Sequence, residues 1–88
     1  MGEAQARLGD TSDHGGRIIT GATRTFINGA PAARKGDLHS CPIEGHGITA
    51  IETGSERTFI EGQSTARIGD SVGCGAIITS GSPDTLVG

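Results

Sequence analysis

The sequence predicts an all-β domain assembled from short hairpins in three related units. Three observations carry that prediction. The block A-R-x-G-D occurs at Ala6–Asp10, Ala33–Asp37 and Ala66–Asp70, and each copy is followed by a second block at Gly21–Ile27, Gly54–Ile60 and Gly81–Val87. The segments inside these blocks are rich in Ile, Thr and Phe and are bordered by Gly or Pro, the composition of short strands. No segment shows an apolar stripe of helical period over the length a stable helix needs.

In chain order, residues 17–20, 24–28, 48–53, 57–61, 76–79 and 84–87 are expected to be strands. The triplets Gly21-Ala22-Thr23, Gly54-Ser55-Glu56 and Gly81-Ser82-Pro83 are expected to close hairpins between them. Asn28-Gly29-Ala30-Pro31 and Glu61-Gly62-Gln63-Ser64 are further turn signals at equivalent places. In each A-R-x-G-D block the Gly permits a sharp bend and the Asp can accept backbone N–H bonds in an Asx-type turn. The arginines Arg7, Arg34 and Arg67 are expected to pair with carboxylates of neighbouring units or to face solvent. The units run approximately over 6–32, 33–65 and 66–88, within one domain spanning 1–88, the last unit cut short after Gly88.

Composition narrows the function. Two Phe, no Trp and no Tyr among 88 residues cannot build a large aromatic core, and domains of this size often need a staple. A net charge of -3 with few aromatics argues against a nucleic-acid surface. No apolar run reaches the ~20 residues that cross a bilayer. No basic start followed by an apolar stretch is present, so folding in a reducing cytoplasm is expected, and two Cys with three His suit a metal better than a disulfide.

Position strengthens the metal reading. The fourth residue after each G-D aspartate is His14, Cys41 and Cys74. Pseudo-threefold symmetry would bring these to one axis, as three ligands of a tetrahedral zinc site. The second loop is longer, with seventeen residues from Asp37 to Gly54 against eleven in the other two, and offers His39 or His46 as a fourth ligand. Glycines 15, 16, 45, 47, 73 and 75 let the backbone crowd there. Such an ion would be a closed structural clasp that cross-links three loops.

The segment Asn28-Gly29-Ala30-Pro31-Ala32-Ala33-Arg34-Lys35-Gly36-Asp37, with Pro31-Ala32-Ala33-Arg34 at its centre, resembles the PAAR-repeat family. The likeness extends over nearly the whole chain, through Gly9-Asp10 leading to His14-Gly15-Gly16, Gly36-Asp37 to Cys41-Pro42, Gly69-Asp70 to Cys74-Gly75, and Gly81-Ser82-Pro83. Ser64-Thr65-Ala66-Arg67 and Gln5-Ala6-Arg7 depart from the tetrapeptide in the other copies.

The resemblance implies a small pseudo-threefold cone of β-hairpins with zinc near its tip. It implies a non-enzymatic role: one copy capping the trimeric valine-glycine repeat spike of a bacterial type VI secretion system. Family members bind zinc through three His and one Cys, which here means His14, His39, His46 and Cys74. Symmetry favours Cys41 in place of His39, and both sets stand open at this point. The partners implied are the spike trimer, effector proteins recruited as separate chains, and a target membrane touched in transit. The protein would be made in the cytoplasm without a signal peptide and delivered outward, carrying no toxic activity of its own. Two other functions remain: a free-standing zinc-stabilised interaction module, and a small zinc hydrolase. The hydrolase lacks an H-E-x-x-H pattern, and Glu44 is its one nearby carboxylate in the long loop.

Overall fold

The computed structural model describes residues 2–43, 45 and 47–87. Among these there is no helix, and nine short strands form: β1 (Glu3–Ala4), β2 (Arg17–Ile18), β3 (Phe26–Ile27), β4 (Ala30–Pro31), β5 (Leu38–Ser40), β6 (Ile48–Ala50), β7 (Phe59–Ile60), β8 (Gln63–Ser64) and β9 (Leu86–Val87). All pair antiparallel, in a three-stranded sheet β2-β5-β6 and three two-stranded ribbons β3-β4, β7-β8 and β1-β9. The molecule measures 33 × 26 × 22 Å.

Two expectations about the hairpins are corrected. The Gly21, Gly54 and Gly81 triplets do not close hairpins. Strand β2 pairs with β5, and β3 pairs with β4. The turns that close ribbons are Asn28-Gly29 and Glu61-Gly62, whose φ angles are 53° and 83°, and 51° and 85°. Two successive positive φ angles are what a two-residue hairpin turn requires, because its twist then matches that of the strands. The predicted strand 76–79 contributes bridges to Ser71 and Ser12 rather than a ribbon. The third ribbon joins opposite ends of the chain: Leu86 pairs with Ala4 and Val87 with Glu3, in the registers that Phe26 and Ile27 hold with Pro31 and Ala30.

The A-R-x-G-D blocks build the frame. Gly9, Gly36 and Gly69 have φ of 94°, 96° and 96°, the left-handed third position of a type II turn. Each turn is closed by the Asp N–H donating to the Arg carbonyl three residues before. Each Asp side chain then accepts from the backbone N–H, Nε and Nη2 of its own Arg, at 2.7–3.2 Å in all three copies. A fourth donor comes from elsewhere: Ser80 Oγ to Asp10, Thr20 Oγ1 to Asp37, and Thr53 Oγ1 to Asp70. The principal partner of each Arg is therefore the Asp of its own block, since the turn places the two side chains on the same side. Arg34 also meets Glu61 at 3.5 Å.

The core is small and aliphatic: Ala6, Ala33, Ala66, Ala76, Ile18, Ile51, Ile78 and Val72. At its centre Ala6, Ala33 and Ala66 are fully buried and hydrogen-bonded in a closed circuit. Ala6 N–H donates to Ala66 C=O, Ala66 N–H to Ala33 C=O, and Ala33 N–H to Ala6 C=O, each at 3.0 Å. Three backbones this close leave room only for a methyl group, which accounts for alanine at all three positions. No helix of the described residues is long and apolar enough to cross a membrane.

Candidate metal centre

His14, Cys41 and Cys74 each lie on a loop that follows an A-R-x-G-D turn. In the first loop Ser12 N–H donates to Gly16 C=O at 3.1 Å and Gly15 N–H to Ser12 C=O at 3.0 Å. The third loop repeats this pattern, Val72 N–H to Ala76 C=O at 2.9 Å and Gly75 N–H to Val72 C=O at 2.8 Å. Gly15 and Gly75, at φ of 80° and 92°, make the bend that follows His14 and Cys74. In the second, longer loop Cys41 follows β5 and its N–H donates to Gly47 C=O at 3.0 Å. Contacts between loops fix their mutual positions: Asp13 N–H donates to Ile77 C=O at 2.9 Å, and Cys74 N–H to Thr49 Oγ1 at 3.2 Å.

The three loops bring His14, Cys41 and Cys74 together, with one donor atom of each within 4.8 Å of the others. His14 Nδ1 stands 3.7 Å from Cys41 Sγ and 3.8 Å from Cys74 Sγ. A tetrahedral zinc ion with Zn–S of about 2.3 Å and Zn–N of about 2.0–2.1 Å separates its ligand atoms by about 3.5–3.8 Å. The observed spacing matches those edges. Two thiols and an imidazole are also a soft donor set that suits zinc. Neither cysteine is in a disulfide. Cys41 is buried, and His14 and Cys74 are half-buried. Burial, with Cys74 close by, pushes the Cys41 thiol above its ordinary range. A bound cation reverses that preference, because a coordinated thiol is deprotonated.

The sequence expectations fall on this geometry unevenly. His14 and Cys74 converge, and the residue that joins them is Cys41. His39 is fully buried elsewhere, its Nε2 2.8 Å from Ser12 Oγ. Its place in the chain explains this. His39 stands two residues after Asp37, where the other units have Ser12 and Val72, and all three side chains point inward. The ligand position is two residues further on, past the end of β5, so His39 stays within the strand, on its interior face, rather than on the loop. Its Nδ1 has no hydrogen-bond partner among the described residues, and burial, with His14 nearby, lowers its basicity. His46 lies outside the described residues.

No curated protein matches the chain. The family model described as the PAAR motif matches residues 8–87. The match takes in all three ligand-bearing loops, the second and third A-R-x-G-D blocks whole and the first from Leu8 onward. The chain belongs to the PAAR-motif family, whose members are structural spike-tip proteins of type VI secretion systems.

Proposed function

We propose that this protein is a zinc-clasped tip that caps the trimeric valine-glycine repeat spike of a type VI secretion system, one copy per trimer. The observation that carries the proposal is the meeting of His14, Cys41 and Cys74 from three separate loops. A single ion held there ties all three loops at one point, and a puncturing end needs that cohesion. The ligand set proposed is His14, Cys41 and Cys74, with His46 of the long loop as the fourth. His39 is left to its bond with Ser12. With four protein ligands the ion is closed to substrate and performs no chemistry.

Three units about one pseudo-axis suit a threefold partner. The alanine circuit and the repeated Arg–Asp knots support that arrangement. Phe26, Phe59 and Leu86 stand at equivalent ribbon positions, with 57%, 60% and 64% of their surface exposed. This apolar ring is the proposed base that seats on the spike, where ribbon edges continue the strands of the trimer by main-chain bonding. Effectors recruited as separate chains and brief contact with a target membrane follow from the same role.

Protein purified without an immobilised-metal column should contain one zinc per chain by elemental analysis, and chelation should lower the melting temperature. Cys41→Ser should lose the ion, while His39→Gln should keep it. Mixing with a trimeric spike fragment should give a one-to-three complex. Metal-free protein that melts unchanged would sink the clasp, and failure to bind the trimer would sink the cap.

A further inference from the structure

Two of the three convergent donors are thiols, and thiols do more than bind cations. Cys41 Sγ and Cys74 Sγ lie within 4.8 Å of each other. Their loops are anchored on one short stretch of chain. Cys41 N–H donates to Gly47 C=O at 3.0 Å, and Cys74 N–H donates to Thr49 Oγ1 at 3.2 Å. Gly73 N–H adds a bond to Ala50 C=O at 2.9 Å. Main chain and hydroxyl make these contacts, so they keep the two sulfurs close whatever the sulfurs are bonded to. Gly45, Gly47 and Gly75 have φ of 85°, 61° and 92°. Among the described residues, no heavy atom stands within 4 Å of the place a Cβ would take at any of them. The loops therefore have space for the small shift that closes two sulfurs to a bond of about 2.05 Å.

Burial sets the order of attack. Cys41 is 6% exposed, whereas Cys74 is half-buried. A dissolved oxidant meets Cys74 first, and Cys41 stands behind it as the second thiol. An accessible cysteine beside a resolving one is the arrangement of thiols that oxidise reversibly.

We infer that Cys41 and Cys74 are a site of reversible oxidation, converted by a hydroperoxide to an intramolecular disulfide. With hydrogen peroxide, the Cys74 sulfur attacks one oxygen and the O–O bond breaks. This gives the Cys74 sulfenic acid and one water. The Cys41 sulfur then attacks the Cys74 sulfur and displaces its hydroxyl, which leaves as a second water with the Cys41 proton. Two thiols lose two electrons and two protons, and one peroxide becomes two waters. The new bond joins the second and third loops directly. It also removes two of the four proposed zinc ligands, so the ion is given up. The first loop stays tied to the third through Asp13 N–H to Ile77 C=O and Ile77 N–H to Asp13 Oδ1, both 2.9 Å. The tip thus exchanges one cross-link for another and keeps its fold. Loss of the ion rests on the proposed ligand set; the disulfide does not.

The test exposes the full-length protein, zinc-loaded or stripped with EDTA, to hydrogen peroxide, then denatures it and blocks remaining thiols with iodoacetamide. Trypsin cuts after Lys35, Arg57 and Arg67, which places Cys41 in the peptide 36–57 and Cys74 in 68–88. Without reductant the two peptides should appear as one species, lighter than their sum by two hydrogens, and dithiothreitol should part them. In the zinc-loaded sample a chromogenic chelator should register one zinc for each disulfide formed. Stripped, oxidised protein should melt about 8 °C or more above stripped, reduced protein, because the bond constrains the unfolded chain. Dimedone should label Cys74 in Cys41→Ser; if that variant does not fold, the peptide map of the native protein decides alone. Sulfinic acid without joined peptides, or disulfides only between molecules, would overturn the inference. Joined peptides from protein that never held zinc would support this site and sink the clasp instead.

Discussion

Replacing Asp37 with alanine should remove one of the three knots that hold the frame. The Asp37 carboxylate is 6% exposed and accepts four hydrogen bonds: Arg34 N–H at 2.8 Å, Arg34 Nε at 3.0 Å, Arg34 Nη2 at 3.2 Å and Thr20 Oγ1 at 2.9 Å. Its loss leaves a guanidinium whose side chain is only 19% exposed with Glu61, at 3.5 Å, as its remaining carboxylate, and takes the acceptor from a backbone N–H and a hydroxyl. Breaking a fully buried ion pair costs about 3–5 kcal/mol. Partial access of water to Arg34 reduces this to about 3 kcal/mol. In a domain this small that corresponds to a fall of about 12–24 °C in melting temperature. Urea melts with zinc saturating should show the loss as a lower midpoint at unchanged slope. Asp10→Ala and Asp70→Ala should match it to within about 1 kcal/mol, since their bonds repeat those of Asp37. A loss below about 1 kcal/mol would refute the reasoning, because that is the level of an exposed pair.

Two further outcomes follow from the ribbons. The N–H of Arg24, with the hydroxyls of Thr23 and Thr25, holds the Glu61 carboxyl below its ordinary value of 4.5. A depressed folded value means that its contribution is present above pH 4.5 and is lost as pH falls through the lower folded value. Melting temperature should therefore drop more steeply below that pH in the native protein than in Glu61→Gln, and parallel curves would exclude Glu61 as the source. A circular permutant that opens between Asn28 and Gly29 and joins Val87 to Glu3 through Gly-Gly should fold and melt within about 5 °C of the parent, because β9 and β1 already lie in hairpin register. An unfolded permutant by circular dichroism would contradict the pairing.

The sequence disclosed the repeating parts of this molecule better than the connections between them. The A-R-x-G-D turns were legible because their glycines and aspartates have local reasons to be where they are. Strands β3, β7 and β9 were legible from Phe-Ile and Leu-Val. Their partners β4, β8 and β1 consist of Ala-Pro, Gln-Ser and Glu-Ala, which have no strand signal of their own and pair only because a neighbour is presented to them. Glycine at 21, 54 and 81 looked like hairpin chemistry but serves close approach. A Cβ on Gly21 would stand 2.8 Å from the side chain of Pro31, and one on Gly54 2.8 Å from Thr65 C=O. Counting four residues from each aspartate reaches His14, Cys41 and Cys74, the trio whose donor atoms meet. The longer second loop and the family resemblance made His39 attractive as well. Its place within β5, opposite Thr49 and inside, separates it from Cys41, which lies past the end of that strand.

The alanine circuit also fixes how many units the molecule can contain. Each of its three amides gives to one neighbour and receives from the other, so the arity is three. Excising one unit would leave an orphaned donor and acceptor at a centre that water does not reach, and duplicating one would open a hole through the axis. Length can therefore change only in the loops between turns, and the six extra residues between Asp37 and Gly54 lie in such a loop.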